Sequence, residues 1–428
     1  MASSSLTGKR TRPPTPDPQD NNVVVKRVKP LVPSQSFADI LKEMPINVSV
    51  VDGPSNTITV DEDLVLQYVD IQCHPEDPTS VLVFGVTEEG MRVLVHVNNL
   101  LTLPPRPDYE PLYNFMFHYE IAPMSWIEIP ALNFEAIDAC DMISYNQIEV
   151  FVDHEDMIFH PPQGNWDKSA PLRILSFDVS TVVPPPPGNQ LPCYERDPVL
   201  QIGNMLTIKG ESDPYLRCIF TLGACSDISG AEVKSYETED ALLLAWREFI
   251  IDADPDLIVG YNIGCFDIPQ LLLRARFLQL HEFPYLGRLK DVPTKTVAQP
   301  VNHRKLKDAP ILTGRLQLDT RQYMLESTMR RENFTVGRKS KCDLNTIARE
   351  FVGKTKEGIA FTVIEDLQFG GPDGRRKLAV HCLKETHLPL EIFSRLRCLD
   401  ESLDAARSSE EFIYRPFREF LRNGRNPS

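Results

Sequence analysis

The sequence predicts an α/β protein in which a mixed sheet flanked by helices follows a β-rich domain. Three observations carry this. From residue 46 to 153, short apolar runs are bounded by turn residues, the pattern of strands. From 172 to about 400, several strand-like runs come first and then alternate with amphipathic helical segments. The composition, 42% apolar and 25% charged over 428 residues, is that of a globular chain long enough for roughly two or three domains.

Residues 1 to 35 are rich in Pro, Ser, Asn and charge, and read as a disordered basic arm. Its two basic clusters, in "GKRTRPPTPDPQDNNVVVKRVKP", have the look of a nuclear localisation signal and point to the nucleus. In the β-rich part, "TSVLVFGVTEEGMRVLVHVNN" reads as two strands joined by a turn at Glu88 to Gly90, and "SWIEIPALNFEAI" and "QIEVFVD" continue the pattern. "HPPQGNWDKSAP" reads as a linker. Strands are then expected at Leu172–Asp178, "PVLQIGNMLTI", "YLRCIFTLG", "PDLIVGYN" and "ILTGRLQLDT". Helices are expected at "TEDALLLAWREFIID", N-capped by Thr238, at "DIPQLLLRARFLQL", at "DLNTIAREFVG" and at "RRKLAVHCLKETHLPLEIFSRLRCL". Residues 401–428 read as a divergent tail that starts helically and ends in a polar "RNGRNPS", with no further domain.

No window approaches the ~18 uninterrupted apolar residues of a membrane helix, so no membrane partner is expected. Nine cysteines without a C-x-x-C pair argue against a zinc ribbon or a disulfide framework. The net charge of −15 is not that of a protein that coats nucleic acid, which leaves local basic segments, above all Arg304 to Lys341, as candidate phosphate contacts.

Three places could carry chemistry. Asp178 closes an apolar strand, and Ser180 two residues on shares its face. Asp267, in "GYNIGCFDIP", lies between a strand and a helix. His381 and Glu385, four apart, share a helix face. Acids converging from strand, turn and helix are how a protein holds two divalent cations for phosphoester hydrolysis, and hard oxygen donors suit Mg²⁺ or Mn²⁺. Each residue also has a plainer role open to it. Asp267 with Gln270 fits a helix capping box, Glu385 a solvated helix face, and Asp178 a strand end bonded to turn amides.

"HPPQGNWDKSAPLRILSFDV", "ERDPVLQIG", "PDLIVGYNIGCFDIPQLLLRA", "FPYLGR" and "RRKLAVHCLKETHLPL" are long and specific. On them the chain resembles the N-terminal and 3′–5′ exonuclease region of the DNA polymerase delta catalytic subunit, a B-family polymerase. The resemblance implies a ribonuclease-H-like exonuclease domain over 172–400, preceded over 46–153 by the β-rich N-terminal domain of these polymerases. It also implies a single-stranded DNA or DNA 3′-end partner, with replication proteins as further partners. The family's three motifs, Asp-x-Glu, Asn-x-x-x-Phe/Tyr-Asp and Tyr-x-x-x-Asp, fall on Asp178 and Ser180, on Asn262, Phe266 and Asp267, and on His381 and Glu385. By this carry-over Asp178, Asp267 and Glu385 are the catalytic and metal residues, and Asn262 and Phe266 the nucleic-acid contacts.

The second motif is intact; the first and third are degenerate at Ser180, His381 and Glu385. No Asp-Thr-Asp-Ser palm motif occurs in the 428 residues, so polymerisation by this polypeptide is not expected. The expected function is therefore a nucleic-acid-binding, polymerase-delta-like pseudoenzyme with an inactive exonuclease domain. The alternatives are a weakly active metal-dependent 3′–5′ exonuclease, and a non-catalytic interaction protein or decaying paralogue.

Overall fold

The computed structural model describes residues 60–104, 110–181, 193–211, 213–295, 310–330, 343–355, 359, 361–409 and 416–423. The basic arm at 1–35 lies outside the described residues, as does most of the basic stretch from Arg304 to Lys341.

The first half builds a seven-stranded sheet. Its strands are β1 (Leu64–Cys73), β2 (Val81–Thr87), β3 (Arg92–Asn98), β4 (Trp126–Ile129), β5 (Phe134–Ala136), β6 (Ile148–Asp153) and β7 (Ile158–His160), in the order β5-β6-β3-β2-β1-β4-β7. The β2–β3 turn falls where the sequence placed it. Gly90 takes a φ of +86°, open to glycine without the Cβ penalty, and donates from its N–H to the Thr87 carbonyl at 3.1 Å. One helix in this half escapes the strand pattern: α1 (Pro111–His118), which starts on a proline and buries Leu112, Phe115 and Met116 against the sheet.

The second half builds a six-stranded mixed sheet: β8 (Arg173–Thr181), β9 (Val199–Ile208), β10 (Leu216–Leu222), β11 (Glu232–Tyr236), β12 (Leu257–Gly260) and β13 (Leu316–Asp319), in the order β11-β10-β9-β8-β12-β13. β8 runs antiparallel to β9 and parallel to β12, so it is covered on both edges and both faces and reads as an apolar run. The polar edge strand β11 was not legible from hydrophobic pattern.

On one face of this sheet lie α2 (Glu239–Ala253) and α3 (Asp267–Phe277), packing Trp246, Phe249 and Leu271 onto Phe177 and Phe220. Thr238 caps α2 as expected, its hydroxyl accepting from the Ala241 N–H. After β13 come α4 (Thr320–Arg330), α5 (Leu344–Phe351), α6 (Phe361–Phe369) and the long α7 (Gly371–Arg395). α7 lies across β8 and β9 on the opposite face and carries Pro389 within it. It ends where Arg397 turns left-handed, and α8 (Cys398–Arg407) begins there as a separate helix.

One expectation is corrected. The segment read as a linker is packed: Lys168 offers its carbonyl to the Trp126 indole N–H at 3.0 Å, and Gln67 accepts from the Ala170 N–H at 2.8 Å. The tail starts helically, as the sequence suggested. α8 runs across residue 400, and α9 (Phe417–Asn423) folds back between the sheets. There Phe417 and Phe420 are buried, and the Arg418 guanidinium bonds both oxygens of Asp70 on β1 at 2.7 and 2.8 Å.

Buried charge also joins the halves. Arg92 of β3 and Arg288 both bond Asp256, at 2.8 and 2.6 Å, while Arg288 and Arg315 bond Asp254 at 2.9 and 2.6 Å. Burial alone would raise both carboxyls; the guanidiniums outweigh it and hold them below the ordinary carboxylate range.

Candidate functional site

At the opposite end of the same strands, the carboxylates singled out from sequence come together. Alternation along β8 turns Ser176, Asp178 and Ser180 toward α7. The Ser176 hydroxyl donates to the Thr386 carbonyl at 2.7 Å, and the Cys382 thiol lies 3.9 Å from Asp178 Oδ2 and meets the Ser180 side chain. Gly203, paired with Asp178 across β8–β9, makes this approach possible. A Cβ there would stand 2.5 Å from Thr386 Oγ1 and 3.1 Å from Cys382 Sγ.

Asp267 enters from the other side. It is the first residue of α3 and is buried, but it does not cap the helix as the capping-box alternative supposed. The N-cap position belongs to Phe266, with no side-chain cap bond. Asp267 Oδ1 instead accepts the Val179 N–H at 3.3 Å, just past the point where the β8–β12 pairing ends at Ser176 and Val259. Burial, then the nearby charges of Asp319 and Glu385, push its carboxyl up to about 8.

Glu385 reaches the same place from α7, where its Oε2 stands 3.1 Å from His381 Nδ1 one turn earlier. The plainer role of a solvated helix face therefore does not describe Glu385. Burial, then the charges of Asp178 and Glu385, also drive the Cys382 thiol well above its usual range.

Asn262 and Phe266 lie in the loop between β12 and α3, both half-buried. Asn262 takes a left-handed φ of +71°, and its carbonyl accepts the N–H groups of Cys265 and Phe266 at 3.2 and 2.9 Å. The acid that shapes this loop was missed: Asp319, the last residue of β13, accepts the Asn262 N–H at 2.8 Å and the Gly264 N–H at 3.2 Å. A signal was available, because "LQLD" ends an apolar strand on a carboxylate just as "LSFD" does. One expected contact is removed. Arg315, within the stretch read as basic, is fully buried against Asp254 at the far end of β12 and faces no phosphate.

The donors do not fit a pair of divalent cations as they stand. The position two residues after Asp178 offers a neutral hydroxyl, Glu385 is engaged by His381, and Asp267 bonds a backbone amide. Among the described residues no three His, Cys, Asp or Glu side chains form a group that could hold a metal ion.

Comparison with known proteins follows the same lines. Residues 107–334, over half of the chain, match the exonuclease domain of DNA polymerase family B. The chain is 38% identical over 302 residues to the DNA polymerase delta catalytic subunit of Candida albicans, covering 69% of this chain and 28% of that protein. It is 36% identical over 337 residues to the same subunit of Oryza sativa subsp. japonica (76% and 28%), and 38% over 304 residues to that of Mesocricetus auratus (68% and 26%). It thus spans about a quarter of the length of these relatives. A solved structure of the family B DNA polymerase from the archaeon Pyrobaculum calidifontis superposes with a TM-score of 0.57 at 17% identity, over 84% of this chain and 48% of that one. The fold is ribonuclease-H-like in its second sheet, as the resemblance implied.

Proposed function

The chain belongs to DNA polymerase family B through its exonuclease domain, and from that premise we propose that it binds single-stranded DNA or a DNA 3′ end without efficient 3′–5′ cleavage. The observation that carries this is Ser180. The family's first motif places two acids on one strand face, and here the second is a serine whose side chain turns to the Cys382 thiol. Exonuclease domains of this family use divalent metals, and Mg²⁺ or Mn²⁺ would be the cofactor of any activity that survives; the motif positions that would hold it are Asp178, Asp267 and Glu385, which do not fit two cations as they stand. One carboxylate fewer, and another paired with His381, leaves too little negative charge to neutralise two cations.

What remains favours binding. The second motif, Asn262, Phe266 and Asp267, is intact in the sequence, and the half-buried Phe266 can offer a ring to an unstacked base. The homology to polymerase delta subunits supports the nucleus, alongside replication proteins, as the place of action.

The test is a 5′-labelled single strand incubated with the chain and Mg²⁺ or Mn²⁺. The expected result is salt-sensitive binding with no shortening beyond that given by Asp178→Ala. Shortening that requires Asp178 supports the weakly active enzyme instead. A folded chain that binds no DNA supports the interaction protein.

A further inference from the structure

We propose that Asp319 is the positioning residue of the loop from Gly260 to Phe266, so that the loop's contacts with a nucleic-acid ligand depend on this carboxylate. The inference deepens the DNA-binding reading above and rests on it.

β12 and β13 end together, with Gly260 paired to Asp319. Beyond that pair neither strand supplies partners for the other's amides. One side chain takes them up. Oδ1 of Asp319 accepts the Asn262 N–H at 2.8 Å, and also the N–H groups of Arg321 and Gln322, at 3.0 and 3.3 Å, in the first turn of α4. Oδ2 accepts the Gly264 N–H at 3.2 Å. Thr320 adds a second tie, its hydroxyl donating to the Gly260 carbonyl at 2.7 Å.

Four backbone amides converging on one buried carboxylate form charge-assisted bonds, about twice as strong as neutral ones. They are needed, because Asn262 sits left-handed at φ +71°, a conformation that surrounding bonds must hold. That conformation aims the Asn262 carbonyl at the Cys265 and Phe266 amides and so sets where Phe266 stands. A contact group loosened by ~1 Å is lost as a binding element. Asp319 touches no substrate in this scheme; it acts through the loop.

The test uses the full chain and a 5′-labelled oligo(dT), read by fluorescence anisotropy, with amide hydrogen exchange over residues 257–266. Phe266→Ala is expected to weaken binding roughly tenfold through loss of one stacked base. Asp319→Ala should weaken binding as much and speed exchange at Asn262 and Gly264 by roughly tenfold or more. The double variant should bind no more weakly than either single one, because both remove the same contact. Asp319→Asn keeps an oxygen for the three Oδ1 amides, so Gly264 alone should exchange faster and binding should fall between.

If Asp319→Ala does not fold, the asparagine variant decides, and unchanged exchange at Gly264 overturns the proposal. Binding that Phe266→Ala weakens and Asp319→Ala leaves intact overturns the positioning role while the DNA-binding reading stands. A natural chain that does not bind the oligonucleotide overturns that reading and this inference with it.

Discussion

β12 is four residues long, and buried acids at its two ends are stabilised on opposite terms. Before it, Asp254 and Asp256 are matched by Arg92, Arg288 and Arg315, so each carboxylate has a guanidinium of the same chain against it. After it, Asp267 and Asp319 are met by backbone amides, and Asp267 lies close enough to Asp319 and to Glu385 for their charges to raise its carboxyl. The first end is complete within the chain and behaves as an internal strut between the two sheets. At the second, burial and neighbouring acids favour the protonated form of Asp267. An acid's sequence neighbourhood does not distinguish these cases; the countercharge does.

The sharpest way to break this comparison is at the strut. Asp256→Ala leaves Arg92 and Arg288 buried without their shared acid, and is expected to cost about 3–5 kcal/mol of unfolding free energy in a urea titration. A loss under ~1 kcal/mol would put the two ends of β12 on the same footing.

The acids also predict opposite pH dependence. Asp254 and Asp256 have folded values below their unfolded ones, so their stabilisation is present above about pH 4 and is lost as pH falls through the folded values. Asp267 is raised to about 8, so its ionisation in the unfolded chain erodes stability as pH climbs from about 4 to 8. Asp267→Asn keeps an oxygen for the Val179 amide and removes the ionisation. In chelator-treated protein it should raise stability near pH 8, by up to about 5 kcal/mol for the full shift, and by almost nothing near pH 4. Destabilisation at both pH values would show that the ionised carboxylate is what the site holds.

A smaller effect is expected where α7 meets β9. Gly203→Ala places a methyl against the Thr386 hydroxyl and the Cys382 thiol, and should destabilise by about 1–2 kcal/mol through overpacking. A neutral result would mean that the helix bearing His381 and Glu385 is not seated as tightly on Asp178 as the geometry requires.

The sequence was most legible where hydrophobic period and local chemistry agree. The turn at Gly90, the Thr238 cap of α2, the apolar β8 and the helix carrying His381 and Glu385 follow from patterns of a few residues. α1 was missed because "PLYNFMFH" is short and nearly all apolar or aromatic, which fits a strand as well as a helix. β11 was missed because an edge strand exposed on one side has no apolar signature. In the site, the family motifs located Asp178, Asp267 and Glu385, but motif spacing says nothing about partners far away in sequence. Asp319 lies over fifty residues from the loop it holds, and Arg315 looked basic and available until its pairing with Asp254 was seen.

The central claim is that the exonuclease chemistry is lost at a few side chains while the scaffold around them is kept. The most direct measurement is a repair. Ser180→Glu with His381→Tyr and Glu385→Asp restores the family's three motifs on the same strand and helix faces. The expected result is Mg²⁺- or Mn²⁺-dependent 3′–5′ shortening of single-stranded DNA by the triple variant, with little or none by the natural chain. Each ~1.4 kcal/mol of restored transition-state stabilisation is worth tenfold in rate. The repaired acids should also make thermal stability rise with added Mn²⁺, through binding to the folded state alone. Robust cleavage by the natural chain, abolished by Asp178→Ala, would contradict the account. So would a triple variant that folds and binds DNA yet gains neither metal-dependent stability nor cleavage, which would make Asp178 a structural strand end.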